Sequence, residues 1–125
     1  MTRRTISSGS PWEEPYGYSR AIVVGNECWV AGTADPTGRH PGDAAGQARE
    51  ILGIIGRALA EAGFGLDDVV RTRMYVTEAS DAAAVASVHG EVFGAIRPAS
   101  TLVVVRALIA PELLVEIEVD AVREG

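Results

Sequence analysis

Near the end of the chain, residues 97–122 (RPASTLVVVRALIAPELLVEIEVDAV) constrain the fold more than any other stretch. It reads as two strands around a short connection. In the second, Glu116, Glu118 and Asp120 alternate with Val115, Ile117, Val119 and Ala121. Strand side chains point to opposite faces in turn. One face of this strand is therefore wholly apolar, and the other carries three carboxylates in a row. Like charges that close repel unless cations or solvent offset them. The acidic face must be a binding site or a charge-paired, wetted surface.

A chain of 125 residues fits a single domain spanning 1–125, with enough length to bury a core. No apolar run approaches the ~18–20 residues that span a bilayer, and the N-terminal segment lacks the apolar region of a secretory signal. A lone cysteine, Cys28, excludes an internal disulfide framework and suits a reducing cytoplasmic setting. The net charge of −6 argues against nucleic-acid binding, which relies on neutralising phosphates. All 11 basic residues are arginine, so a Schiff base on a protein lysine is impossible. His40 and His89 are the only histidines and neither has a zinc-ligand spacing. No metal, cofactor or phosphate loop is expected.

Residues 1–19 read as irregular chain with one short strand near 4–6. Residues 21–24 and 28–31 form a hairpin around Gly25-Asn26-Glu27. The Pro- and Gly-rich segment 33–42 is a loop. Asp43 can cap a helix running to about Ala62, whose Ala48, Ile51, Leu52, Ile55, Leu59 and Ala62 make one stripe. Gly63 ends it. A strand follows over 69–77, with Val70, Thr72, Met74 and Val76 on one face and Arg71, Arg73 and Tyr75 on the other. Ser80 or Asp81 starts a second helix to about Gly94, with Val85, Val88, Val92 and Ile96 as its stripe. Pro98 precedes a strand over 101–107, which is read as making a hairpin with the last strand.

That order predicts an α+β fold, a mixed sheet with two helices packed on one face. Arg71, Arg73 and Tyr75 then share a layer with Glu116, Glu118 and Asp120. The face without helices needs water or another subunit, so oligomerisation is expected.

Four segments carry a family resemblance: YSRAIVVGNECWVAG, DDVVRTRMYVTEASD, HGEVFGAIRPAS and LLVEIEVDAV. Over residues 18–122 their order and spacing resemble the RidA/YjgF family. The resemblance implies a chorismate-mutase-like fold, a homotrimer, and small-molecule pockets between subunits. It also implies hydrolysis of reactive enamines and imines made by pyridoxal enzymes, releasing a ketoacid and ammonia. The family's Pro-Ala-Arg-Ser, whose arginine grips a substrate carboxylate, is here Pro98-Ala99-Ser100-Thr101. A hydroxyl cannot replace that planar fork of charged donors. Ala31, Ala86 and Leu102 stand where the family often has serine, asparagine and cysteine. Tyr18 matches the pocket tyrosine, and Glu116 the glutamate that orients or activates water. The chain thus resembles an arginine-lacking, divergent branch.

The candidate catalytic residues are Glu116, as general base on water, and His89, as a replacement source of acid/base chemistry. Tyr18, Ser100, Arg73 and Gly32 are the candidate substrate-binding residues. Against these stand plainer roles: Glu116 paired with an arginine, His89 packed in the core, Tyr18 at an interface, Arg73 bonded to the final strand. Arg20, Arg97 and Arg106 are anion-binding candidates on the same footing as Arg73. The expected function is hydrolysis of an enamine, imine or related nitrogen compound. A non-catalytic trimeric module that binds a metabolite or regulates a partner is the alternative. Ribonuclease activity, attached to some family members, fits the acidic, lysine-free composition least.

Overall fold

The computed structural model describes residues 2–124. Six strands and three α-helices follow in the order β1 (Arg3–Ile6), α1 (Glu13–Tyr16), β2 (Ala21–Val24), β3 (Glu27–Thr33), α2 (Ala44–Ala62), β4 (Val69–Val76), α3 (Ala82–Phe93), β5 (Ala99–Val104) and β6 (Val115–Val122). The strands form one mixed sheet in the order β1-β2-β3-β6-β4-β5. Every pairing is antiparallel except β4 with β5, which is parallel. Helices α2 and α3 pack on one face, as the alternating strands require. Among the described residues no helix is long and apolar enough to cross a membrane.

The core follows from periodicity. Val115, Ile117, Val119 and Ala121 of β6 face Ile51, Ile55 and Leu59 of α2 and Val85 and Val88 of α3 across one apolar cluster. Each buried aliphatic side chain contributes about 1.5–3 kcal/mol relative to exposure. Helix α2 starts where Asp43 accepts a hydrogen bond from the Gly46 N–H at 3.0 Å. It stops at Gly63, whose φ of +87° lies in the left-handed region that side chains disfavour.

Four expectations need correction. The last two strands are not a hairpin: β5 lies outside β4, and the connection 105–114 carries the chain past β4 so that β6 enters between β3 and β4. The reason is burial, because β6 has an apolar side that only a central position covers. β5, at the edge, remains mostly exposed. Val70 does not join the β4 core face. A bulge between Val69 and Arg71 puts Val69 inside and leaves Val70 46% exposed. In α3 the innermost aromatic is Phe93, whereas Val92 and Ile96 only flank the cluster. Finally, the N-terminal segment contains α1, and its Glu13 is buried.

Candidate functional site

The helix-free face of β6 carries Glu116, Glu118 and Asp120, opposite Tyr75, Arg73 and Arg71 of β4 in register. Arg73 lies 3.4 Å from Asp120 and 3.8 Å from Glu118, and the Tyr75 hydroxyl donates a short hydrogen bond to Glu118. That bond, then burial and the Glu118 charge, pushes the Tyr75 phenol up. Arg73, a candidate ligand-binding residue, is thus engaged with two carboxylates. These half-exposed pairs are each worth about 0–1 kcal/mol.

Glu116 stands apart from this network. It has no cationic partner within ion-pair distance among the described residues. Its carboxylate instead lies against the backbone of Gly32 on β3, where a Cβ would come within 2.5 Å of Oε2. Only glycine leaves that room. Burial pushes the Glu116 carboxyl up and the nearby Glu118 charge adds to this, while Arg20 pulls the other way. The strand holds the group firmly, since Val115 and Ile117 on either side are fully buried.

Arg20 builds the surroundings. It is itself buried, donating to the Gly32 carbonyl at 2.8 Å and to Thr33 Oγ1 at 2.9 Å. Its guanidinium lies 5.6 Å from the Tyr18 ring centroid. It also reaches Ser8 Oγ at 3.4 Å, and Ser8 donates to Glu13 at 2.5 Å. Burial works against the Glu13 charge, but hydrogen bonds from Ser8 outweigh it and hold the carboxyl below its ordinary value. The sequence does not separate Arg20 from Arg73, Arg97 and Arg106, because composition cannot show which arginine is buried. Its place two residues after Tyr18, at the entry to an apolar strand, was the available signal.

A cleft of about 700 Å³ opens beside this network, with Tyr18, Trp29, Ala31, Arg73, Glu118 and Asp120 in its wall. It gathers Tyr18 and Arg73 of the candidate residues, but Glu116 and Gly32 lie outside its lining. His89 and Ser100 fall elsewhere altogether. His89 projects from α3 onto the helix-covered face, 2.8 Å from Thr72 Oγ1, with its ring 4.7 Å from that of Phe93. Burial alone pushes its imidazole below the ordinary value. Ser100, exposed on β5, is 2.8 Å from the same threonine hydroxyl. Within one chain the sheet therefore separates Glu116 from His89 and Ser100. Among the described residues no cluster of three or more His, Cys, Asp or Glu side chains could hold a metal ion.

Comparisons with known proteins agree with this architecture. The family model described as Endoribonuclease L-PSP matches residues 13–123. Protein SCO2049 of Streptomyces coelicolor is 40% identical over 123 residues, covering 96% of this chain and 92% of that protein. The 3-aminoacrylate deaminase RutC of Acinetobacter baylyi is 38% identical over 78 residues, covering 62% of this chain and 61% of its own. The crystal structure of Rv2704 from Mycobacterium tuberculosis, a member of the YjgF/YER057c/UK114 family, superposes with a TM-score of 0.91. Its sequence is 49% identical, and the match covers 98% of this chain and all of that one. With the sheet order, the paired helices and the family match in agreement, the chain belongs to the RidA/YjgF family.

Proposed function

We propose that this protein is a trimeric hydrolase of a small imine or enamine, with Glu116 activating water. The observation that carries this reading is the half-buried Glu116 carboxylate, raised in basicity and lying against Gly32, with the buried Arg20 acting on it and reaching towards the Tyr18 ring. A carboxylate of raised pKa suits a general base near neutral pH. Glu116 takes a proton as water adds to the imine carbon. It passes that proton to the nitrogen to give a carbinolamine, then carries the hydroxyl proton to the nitrogen as the C–N bond breaks, leaving a carbonyl compound and ammonia. The similarity to a 3-aminoacrylate deaminase supports this reaction class.

The substrate differs from those of arginine-bearing relatives. Ser100 offers no fixed cation for a carboxylate, so recognition rests on shape and neutral hydrogen bonds. The face without helices supplies the subunit contact, which brings Tyr18 and Glu116 to a shared boundary. Ala31 makes the cleft wall more apolar, and Ala86 and Leu102 stand at two further positions where the family often has polar residues, which favours a second reading, a binding module without turnover.

Enamines released in situ by a pyridoxal enzyme separate the two. The wild-type protein is expected to accelerate their decay, and Glu116→Gln to lower that rate by about 10²-fold or more. No acceleration across several side chains, together with ligand-dependent thermal stabilisation, would establish the binding module instead.

A further inference from the structure

The far end of α2 from its Asp43 cap is closed by two arginines drawn from opposite ends of the sequence. Arg4 on β1 donates to the Ala62 carbonyl at 2.7 Å, and Arg123, just past β6, donates to the Gly63 carbonyl. The accepting residues are adjacent, so their Cα atoms are about 3.8 Å apart. Two guanidiniums therefore converge on one spot. Arg4 shares the helix-covered face with Ile6, two positions along β1, whereas its neighbour Arg3 lines the cleft on the other face.

Closing the helix uses little of what these side chains offer. A guanidinium has five N–H donors in a planar fork, and among the described residues each makes one hydrogen bond. The ion pairs among those residues engage Arg39, Arg49 and Arg73, not these two. In a chain of net charge −6, their charge is offset only by the partial negative charge of the helix end. Both are also held in place. The Arg123 guanidinium lies over the buried Phe64 ring, 5.0 Å from its centroid. Gly63 leaves room for it, since a Cβ there would come within 3.3 Å of Arg123 Nη1. A cleft of about 370 Å³ opens at this point, with both arginines, Val23, Gly25 and Phe64 in its wall.

We propose that this cleft binds a small phosphate monoester, its phosphate gripped between Arg4 and Arg123. The site lies on the helix side, apart from Glu116, and does not rest on imine hydrolysis. A single carboxylate fills one guanidinium fork. The three terminal oxygens and near-double charge of a phosphate monoester engage two forks at once. Val23 and Phe64 supply an apolar wall for the rest of the ester, and the volume suits a compact molecule.

Calorimetric titration of the full-length protein with glycerol phosphate, in phosphate-free buffer at constant ionic strength, tests this. Amide NMR shifts then locate the site. Binding is expected to saturate, moving the amides of Gly25, Gly63 and Phe64 and leaving those of Tyr18 and Glu116 in place. Inorganic phosphate should compete for the same amides, and succinate should bind more weakly. Arg4→Gln and Arg123→Gln should each weaken binding about tenfold or more. If Arg4→Gln fails to fold, Arg123→Gln, at an exposed position beyond the last strand, makes the same test. No saturable shift up to about 20 mM would overturn the proposal. So would equal shifts with chloride, tighter binding of succinate, or undiminished affinity in the folded variants.

Discussion

On its covered side β6 presents Val115, Ile117, Val119 and Ala121, each at most 1% exposed, against two helices. On its other side the same strand presents Glu116, Glu118 and Asp120, all half-buried and facing arginine and tyrosine. The first side is held by removal of apolar surface from water, which needs no partner of exact geometry. The second is held by hydrogen-bonded charges that gain little in solvent. Stability therefore resides mainly on the helix side, leaving the other free to carry chemistry. Neither side is uniform. Glu116 lacks the ion pairing that its neighbours have, and Thr72 brings a polar line into the apolar side.

The largest expected contrast comes from truncation on the two sides. Ile55→Ala, at a fully buried position on α2, should lower the unfolding free energy by about 2–5 kcal/mol in urea denaturation. Arg73→Ala should cost less than about 1 kcal/mol despite losing contacts with two carboxylates. Equal losses would break the division between the sides. Gly32→Ala should have a smaller effect on stability, under about 1 kcal/mol, because the side chain it meets is the flexible end of Glu116. It should nevertheless reduce imine turnover about ten- to a hundredfold by displacing the carboxylate. Unchanged turnover would detach Glu116 from the reaction.

The smallest effect is the pH dependence that His89 imposes. Its folded-state pKa lies below the unfolded value, so the unfolded chain binds more protons as the pH falls. The stability contributed by the neutral imidazole is complete above the unfolded value, about 6.5, and is lost as pH drops through it towards the folded value. Chemical denaturation of wild-type protein and His89→Gln at successive pH values should show a steeper decline for the wild type in that window. Parallel profiles would mean that His89 is solvated and that the helix side excludes less water than the packing indicates.

Much of the architecture was legible because helices and strands write their periods into adjacent residues. Asp43 and Gly63 marked the ends of α2, and the alternation in β6 separated its two faces without reference to any partner. Val70 was misplaced because a bulge changes the phase of alternation, and no residue in that stretch signals it. The candidate site was less legible. Glu116, Gly32 and Tyr18 could be picked out individually, but not that Gly32 lies against the Glu116 carboxylate or that Arg20 spans Gly32 and Tyr18.

The sequence by itself determined the two long helices, most of the strands and the alternation of β6, because these depend on residues a few positions apart. Only the tertiary structure decided that β6 lies between β3 and β4, and that β5 runs parallel at the edge. It also decided that one threonine joins a histidine to a serine 11 positions further along the chain. Strand pairing is a competition among distant segments for the same hydrogen-bonding edges and the same apolar cover. Its outcome depends on the whole chain at once.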